Sequence, residues 1–471
     1  MGNSLAYDKK REFLLNNENL YKNAAYLALP VVVQSLLQVS IGTIDMKMVS
    51  SVGVDAISAV GSSRNIVNLI MILVMAISTG TTAMVSRFVG RDDRKNASLS
   101  AGQSFYLCLL ASIFMVPLGL LINKPSLRLL GVNDNVLVLA EGYMTVFFLG
   151  IPFFLLHFMA KAIFQGAGDT KTPLLIDIVM NITNVVFNYF FIFGVWIFPE
   201  MGVAGAAMGS AIARLVGASL GWGALLSGKF VLKVDYIHMI KPYWDRGKQI
   251  INIGFPAALQ GLTRNISTFA LFAILARTTY GDAAVPAYVI GTNLNQYSLM
   301  PGLAVGTAAA TLSGMNIGAK KLKRAEDSGI ACTVLGAILM MFFAIVFAIF
   351  AEPFINFFLD EPNADVLRIG RAFLYIIAIS EPFHAATIIL SRTMQGAGYT
   401  RKPFWITFSC WLVIRVTLAY LLAFVFNLQS TGVWIGISMS TIVSGIMAYY
   451  LFKLGKWKYV KIDDQIEDQR E

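Results

Sequence analysis

The decapeptide FQGAGDTKTP at residues 164–173 returns almost unchanged as MQGAGYTRKP at residues 394–403. The two copies lie 230 positions apart in a chain of 471 residues, and each ends in a proline. A motif repeated at about half the chain length indicates that one structural unit occurs twice.

Other pairs of residues keep nearly the same spacing. Leu29-Pro30 matches Phe255-Pro256, and Gln34 matches Gln260, both at an offset of 226. VGRDDRKNA at 89–97 matches IGAKKLKRA at 317–325, at an offset of 228. These correspondences predict two related halves of similar length.

The composition is that of a membrane protein. The chain is 56% hydrophobic and 14% charged, with a mean hydropathy of +0.66. Long stretches with almost no charge recur along it, each near the roughly 20 residues that a helix needs to cross a bilayer. The predicted spans are 24–46, 58–85, 98–121, 136–160, 173–195, 204–227, 249–275, 286–313, 329–350, 372–390, 404–426 and 434–452. The predicted fold is an all-α polytopic membrane protein with twelve transmembrane helices in two pseudo-symmetric six-helix lobes, because the stretches are too long for strands and lack their alternation.

The loops predict the orientation of these helices. Lys and Arg are concentrated in the connectors on the side of the N-terminus, and the opposite side has only Lys47, Lys124, Arg128, Arg277, Arg368 and Arg371. This bias predicts that both termini are cytoplasmic in a multi-pass protein of the cell membrane. The net charge of +10 is spread over separate loops, which favours contact with membrane lipids over nucleic acid.

The expected domain order follows from the spans. Residues 1–23 form a polar cytoplasmic segment without a cleavable signal peptide, so the first span is expected to direct insertion. Residues 24–227 form the N-lobe, residues 228–248 a cytoplasmic linker, residues 249–452 the C-lobe, and residues 453–471 a cytoplasmic tail.

The repeated glycine-rich segment does not have the spacing of a phosphate-binding loop and joins two membrane helices. We expect a tight turn in which Gly166 and Gly168 adopt positive φ and Pro173 opens the next helix. Cys108, Cys332 and Cys410 lie in apolar spans without paired spacing, which predicts neither a disulfide nor a metal site. The spans show no nucleophile elbow or metal-ligand spacing, so we expect neither an enzyme nor a cofactor.

Taken together, the repeated turns and loops resemble one known family. The fragments IDMKMVSSVG at 44–53, NVVFNYFFIFG at 184–194 and GDAAVPAYVIGTNL at 281–294 add to the two decapeptides and the two basic loops. The chain resembles the multidrug and toxic compound extrusion family, within the multidrug, oligosaccharidyl-lipid and polysaccharide flippase superfamily, over roughly residues 24–455.

The resemblance implies a function. It implies two six-helix lobes forming a V, a central cavity open to alternate sides, and export of amphipathic, often cationic compounds in exchange for H⁺ or Na⁺. The expected partners are membrane lipids and small amphipathic substrates, and we expect a monomer. The alternative from the same superfamily is a flippase for a lipid-linked oligosaccharide, which would need a wider and more basic cavity than four arginines within the spans suggest.

Asp45 is the predicted coupling acid. It lies in the outer half of the first span, where a charge costs at least about 2.5–3.5 kcal/mol on insertion scales. The resemblance places it at the position of the first-helix acid of this family. The alternative is an acid solvated at the outer rim near Lys47.

Asn184 and Asn188 are spaced i, i+4 and therefore share one face of the fifth span. The resemblance implies that this face meets the first helix, so the amides would hydrogen-bond Asp45 or supply oxygen atoms to Na⁺ bound by Asp45, Asn184 and Asn188. The alternative is packing between helices without an ion. Some branches carry an acid at the position of Asn188, so a single carboxylate here favours H⁺ over Na⁺. Ser210 in the sixth span would add a hydroxyl or serve only packing.

The second half offers a polar site made of Arg264, Glu381 and His384. At Arg264 and His384 the chain departs from acids found in family branches, which argues against a cation site there. Arg264 and Glu381 are expected either to form a buried pair or to line water. His384 would act as a proton relay or as a hydrogen-bonded core residue.

Pro30 is the predicted hinge, because it removes one backbone hydrogen bond from the first helix. Protonation of Asp45 would rearrange its bonds to Asn184 and Asn188, and the helix would bend at Pro30 and close the cavity.

Overall fold

The computed structural model describes residues 2–129, 131–230, 232–359 and 363–460. Over these residues the chain is helical, with short connectors and no strand. In the first half the helices are α1 (Gly2–Asn16), α2 (Leu20–Ser50), α3 (Val54–Arg91), α4 (Arg94–Leu129), α5 (Asp134–Gly166), α6 (Lys171–Phe193), α7 (Val203–Ser227) and α8 (Ile237–Ile240).

The second half repeats this order. Its helices are α9 (Trp244–Leu275), α10 (Gly281–Gly318), α11 (Leu322–Ile349), α12 (Ala351–Phe357), α13 (Ala364–Gly396), α14 (Arg401–Thr407), α15 (Arg415–Tyr420) and α16 (Gln429–Lys453). A π-helical segment, Phe408–Ile414, joins α14 to α15, and a second, Leu421–Val425, extends α15. The predicted eleventh span is therefore one continuous but irregular helix. A 3₁₀ turn, Lys456–Tyr459, follows α16.

The long helices correspond to the twelve predicted spans. Over the described residues, ten helical segments are long and apolar enough to cross a membrane, and α9 and α10 are equally long but more polar. Large apolar side chains project from the surface, among them Leu121 at 75% exposure and Phe269 at 70%. Such faces suit contact with lipid, because a helix pairs its own backbone polar groups and can expose apolar side chains to the hydrocarbon. The prediction of a twelve-helix membrane protein is confirmed.

The repeated decapeptide forms the same turn in both halves. α5 ends at Gly166 and α13 at Gly396, and the next helices begin at Lys171 and Arg401. Gly168 has φ +79° and its counterpart Gly398 has φ +84°, in the region that glycine enters without strain.

The expectation for Gly166 is wrong, because this residue is still helical. A Cβ there would lie 3.1 Å from the carbonyl oxygen of Thr82, and one at Gly396 would lie 2.1 Å from that of Ala310. These glycines are therefore needed for close helix approach, while the positive φ belongs to Gly168 and Gly398.

The chain divides into two compact units. The first contains residues 1–16 and 30–254, and the second contains residues 17–29 and 255–471. The first unit contains α3 to α8 and most of α2, and the second contains α10 to α16 and most of α9. The domain boundaries expected from the sequence stay a prediction.

The units divide within helices, next to the two matching prolines. One boundary falls between Leu29 and Pro30 inside α2, and the other between Gly254 and Phe255 inside α9. α2 runs through Pro30 without a break. Pro30 as a hinge stays a prediction.

Candidate functional site

The buried face of α6 carries a row of polar residues. Asp177, Asn184 and Asn188 are buried there, with 5%, 5% and 0% of their surfaces exposed. Their spacing of seven and four residues places them on one side of a helix with 3.6 residues per turn. Buried polar groups require partners, so this row must meet hydrogen-bonding groups on neighbouring helices.

Asp45 of α2 meets the outer end of this row. The Asn188 side-chain nitrogen donates to Asp45 Oδ1 at 2.7 Å, and the Asn184 nitrogen donates to Ser210 Oγ on α7 at 3.0 Å. The two amides are also in mutual contact, at 3.4 and 3.5 Å. The structure thus brings together all four residues that the sequence suggested for this site.

Small residues on α7 make this contact geometrically feasible. A Cβ at Gly209 would lie 2.1 Å from Asn188 Oδ1, and one at Gly205 would lie 2.4 Å from the carbonyl oxygen of Phe191. Glycines at these two positions let α7 approach α6 closely, as small residues do between membrane helices. Ser210 follows Gly209 directly and so reaches Asn184.

The carboxylate of Asp45 faces a cavity of about 260 Å³ inside the first unit. The guanidinium groups of Arg64 and Arg214, the phenol of Tyr143 and the ring of Phe154 also line it. Arg214 donates to the backbone oxygen of Ser210 at 3.3 Å and lies over the Phe154 ring at 4.8 Å. Asp45 itself is half-buried and lines this polar cavity, and its role as the coupling acid stays a prediction.

In the second unit, Glu381 is fully buried and is held by a neutral donor. Asn295 of α10 donates to its Oε1 at 2.8 Å, and Ser298 Oγ lies 3.4 Å from Oε2, although the Ser298 hydroxyl also has the closer backbone oxygen of Met340 as an acceptor at 2.9 Å. His384 Nδ1 lies 3.8 Å from Oε1, and its ring packs on Trp411.

Arg264 does not join this cluster. Among the described residues no ion pair connects Arg264 to Glu381, and Asn295 of α10 supplies a hydrogen bond to the carboxylate instead. The structure therefore brings together Glu381 and His384 but leaves Arg264 apart. The other alternative, that both side chains line water, stays a prediction.

Asp177, a buried carboxylate of the first unit, was not among the site residues suggested by the sequence. Asp177 Oδ2 accepts a hydrogen bond from Lys161 Nζ at 2.8 Å, and Asp177 Oδ1 lies 3.2 Å from His157 Nε2. Both partners are on α5. The sequence could have indicated this site, because Asp177 and His157 fall inside predicted spans, where an ionisable residue is by default a candidate for function.

A helical membrane protein with an internal repeat and ionisable side chains around an interior cavity has the features of the secondary transporters. The chain belongs to the MatE family, whose model matches residues 30–190 and 256–421. Both matched segments begin at one of the paired prolines, Pro30 or Pro256. The resemblance inferred from the sequence is thereby confirmed.

Relatives match over nearly their whole length. The probable multidrug resistance protein NorM of Thermotoga maritima is 26% identical over 459 residues, covering 96% of this chain and 97% of the relative. The multidrug resistance protein MdtK of Proteus mirabilis is 26% identical over 436 residues, covering 89% and 92%. A FAD transporter of Shewanella oneidensis is 22% identical over 427 residues, covering 90% and 92%.

Solved structures share the fold. A transporter of the same superfamily from Pyrococcus furiosus, described by a reversed polarity of its binding pocket, superposes with a TM-score of 0.88 at 20% identity over 96% of this chain and 99% of that one. An outward-facing multidrug resistance transporter of the family gives 0.87 at 21% identity, covering 95% and 97%.

Proposed function

We propose that this protein exports amphipathic organic compounds by alternating access, in exchange for protons that enter through Asp45. The observation that carries the proposal is the Asp45 carboxylate, which lines an interior cavity and is held by Asn188 at 2.7 Å. Relatives named for multidrug resistance cover nearly all of the chain, which supports efflux as the direction. The superfamily's flippase activity is not favoured.

The orientation of the amides supports H⁺ over Na⁺. Na⁺ would require oxygen atoms directed at it, whereas Asn188 presents its NH₂ group to Asp45, and Asn184 presents its NH₂ group to Ser210. Arg214 adds a guanidinium group to the same cavity. The fixed guanidinium group beside the carboxylate disfavours a bound metal cation, so no step of the mechanism is assigned to Na⁺.

The exchange follows from the charge of Asp45. The ionised carboxylate receives a charge-assisted hydrogen bond from Asn188, which is about twice as strong as a neutral one. Protonation weakens that bond and removes the negative charge from the cavity. Antiport then requires the substrate and the proton to favour different conformations of the same carrier, with bending of α2 at Pro30 as the proposed movement.

The cavity refines the expected substrate class. Flat apolar parts of a substrate would contact Phe147, Phe154 and Phe158, which line the chamber. The same lining carries one carboxylate and two guanidinium groups, so attraction of a cation is local to ionised Asp45. We therefore propose amphipathic aromatic compounds, with cations favoured only while Asp45 is charged.

The cellular setting belongs to the same proposal. MatE proteins are integral membrane transporters, and we place this one in the cell membrane as a monomer with both termini in the cytoplasm, on the evidence of its basic loops. Its partners are membrane lipids and small organic substrates, with no nucleic acid, no cofactor and no enzymatic reaction.

The test compares two driving forces. Purified protein in proteoliposomes is given either an imposed pH gradient or an imposed Na⁺ gradient, and uptake of a fluorescent aromatic cation is followed. Transport driven by the pH gradient alone supports the proposal. Transport driven by Na⁺ at uniform pH refutes proton coupling, and an absence of transport under both gradients refutes antiport.

A further inference from the structure

A second group of ionisable side chains lies in the first unit, near the N-terminal part of α6. It is separate from the end of α6 at which Asn188 contacts Asp45. It consists of Asp177 on α6 and His157 and Lys161 on α5, and we call it the inner triad. The side chains of Asp177 and His157 are 7% and 6% exposed, while that of Lys161 is 19% exposed. The inner triad therefore runs from a buried acid and imidazole to an amine that reaches the surface.

The geometry is more specific than charge neutralisation requires. Lys161 alone would neutralise Asp177, and its Nζ donates to Oδ2 at 2.8 Å. The imidazole nevertheless occupies the other carboxylate oxygen, with Nε2 at 3.2 Å from Oδ1, and no other hydrogen-bond partner of Oδ1 is present among the described residues. Burying an imidazole beside the completed Asp177–Lys161 ion pair costs desolvation energy. Stability alone therefore does not explain why a histidine is present here.

Proton transfer gives a reason for these residue types. Histidine is the side chain whose charge ordinarily changes near neutral pH, and its two ring nitrogens allow a proton to enter on one and leave from the other. Here Nε2 faces Asp177, while Nδ1 faces Gly217 of α7, where a Cβ would lie only 2.7 Å away. A metal ion is disfavoured at this position because the Lys161 ammonium already occupies the other carboxylate oxygen.

The inner triad lies next to the cavity wall, because Phe158, the residue after His157 on α5, lines the cavity. His157 follows Phe154 by three residues on α5, and Gly217 follows Arg214 by three on α7; Phe154 and Arg214 both line the cavity. On α6, Asp177 is seven residues from Asn184, which is about 10.5 Å along a helix. Met180 lies between them and meets the same Gly217 as His157.

The helices packed against the inner triad contribute the following groups among the described residues. α5 contributes His157 and Lys161, and α7 contributes Gly217 where it faces the imidazole, with Arg214 one turn away. α2 approaches α6 through Gln34, which donates to the backbone oxygen of Thr170, and through Asp45 at the other end.

We propose that the inner triad is the proton-transfer group through which protons leave the cavity of the first unit toward the cytoplasmic side. A water molecule in the cavity, protonated by the Asp45 carboxyl group, would give its proton to His157 Nδ1. The imidazolium then releases its Nε2 proton to the Asp177 carboxylate, and the Asp177 carboxyl group releases a proton to bulk water beside the Lys161 ammonium, which stays protonated. The imidazole is left with its proton on Nδ1, so it returns to the Nε2–H tautomer before the next proton enters. This inference rests on the proposed proton coupling and adds the route of release.

The experiment measures transport while the pH on the proton-release side of the membrane is varied separately. Wild type, Asp177→Asn and His157→Gln are reconstituted in proteoliposomes, the pH on the proton-entry side is fixed, and the pH on the release side is varied. We expect each variant to lower the maximal rate of pH-gradient-driven transport by about tenfold or more, and to lose the dependence on release-side pH. Equilibrium binding of the substrate and gradient-free substrate exchange stay at the wild-type level, because the cavity is intact.

Glu141→Gln is the matched control. Glu141 also pairs with a lysine of the first unit, Lys124, at 3.3 Å, but both side chains are well exposed. This variant is expected to keep the rate and the pH dependence of wild type. A rate for Asp177→Asn or His157→Gln equal to that of Glu141→Gln overturns the proposal.

A double variant separates proton transfer from folding. Asp177→Asn combined with Lys161→Met removes both charges of the ion pair, so it avoids leaving an unpaired buried lysine. A slow rate in this correctly folded protein supports the proton route, and restoration of the wild-type rate assigns the inner triad to charge balance and overturns it. If transport by the wild-type protein is driven by Na⁺ instead of a pH gradient, the proposed function is refuted before any variant is compared. Failure of the proposed function is therefore distinguishable from failure of the proton route through the inner triad.

Discussion

At the scale of single residues, the site depends on which way two amides point. Asn188 gives its NH₂ group to Asp45, and Asn184 gives its NH₂ group to Ser210. Both asparagines are buried, so neither amide exchanges its partner for water without cost. The protonation state of Asp45 is thereby linked to a hydrogen-bond chain that joins α2, α6 and α7.

Replacing Asn188 with alanine should uncouple transport. The Asp45 carboxylate then loses its hydrogen-bond donor, and the loss of a buried partner costs about 1–3 kcal/mol. We expect pH-gradient-driven transport to fall by about tenfold, since 1.4 kcal/mol corresponds to that factor. Initial rates in proteoliposomes measure the change.

Asn181→Ala serves as the control for this prediction, because Asn181 lies on the same helix but is only half-buried and outside the cavity lining. It should transport at nearly the wild-type rate. Equal losses in both variants would show that the effect comes from α6 as a whole and not from the bond to Asp45.

The composition of the site was only partly predictable from the sequence. Asp45 and the two asparagines were found because an apolar span tolerates polar residues at helical spacing only where they meet a partner or a cavity. The hydrogen bond from Asn295 of α10 to Glu381 was not predictable, because sequence spacing does not say which helix supplies the partner. Asp177 was missed although the same reasoning applied to it.

At the scale of helices, glycine decides how closely the repeated turns pack. Replacing Gly396 by alanine would place a Cβ 2.1 Å from the carbonyl oxygen of Ala310. Because this neighbour is backbone in a packed helix, we expect destabilisation of about 1–3 kcal/mol. Thermal unfolding in detergent should show a lower melting temperature.

Gly223→Ala is the matched control, since Gly223 lies in α7 and a Cβ there meets nothing within 4 Å. Alanine is favoured over glycine in a helix by about 1 kcal/mol, so this variant should be as stable as wild type or slightly more stable. A melting temperature for Gly396→Ala at or above that of Gly223→Ala would contradict the requirement for close approach at Gly396.

The linker helix α8 is held on α4 by hydrogen bonds that involve His238. His238 Nδ1 lies 3.1 Å from Ser98 Oγ, and Gln103 donates to the backbone oxygens of His238 and Lys241 at 2.7 and 2.8 Å. Burial lowers the pKa of His238 below its usual value; nearby Asp235 opposes the shift, and Lys95 adds to it.

Acid should therefore loosen the linker. Since the pKa is lower in the docked state, the released state binds more protons, and the stabilisation from neutral His238 is lost as the pH falls below about 6.5. Hydrogen exchange of the amides at 235–243, corrected for intrinsic rates, should accelerate between pH 7.5 and about 5.5 in wild type.

In His238→Gln the same amides should show little pH dependence, while those of the connector at 194–202 provide an internal control without a histidine. Linker exchange in wild type that is unchanged by acid would contradict the docking role of the neutral imidazole.

At the scale of the whole molecule, hydrophobic length and the repeat were enough to predict twelve helices in two halves. Lipid allows few alternatives for an apolar segment of this length. The π-helical segments Phe408–Ile414 and Leu421–Val425 were not predictable, because they depend on packing rather than on local preference. The units also divide beside Pro30 and Pro256 and not at the linker, which only the tertiary contacts reveal.

The most direct test of the account is proton movement in the Asp45→Asn variant. When substrate is added to proteoliposomes containing wild-type protein, a trapped pH-sensitive dye should report proton flux opposite to the substrate. Asp45→Asn should reduce this flux by at least about tenfold. Undiminished proton flux in that variant would contradict the claim that Asp45 couples the proton to the substrate.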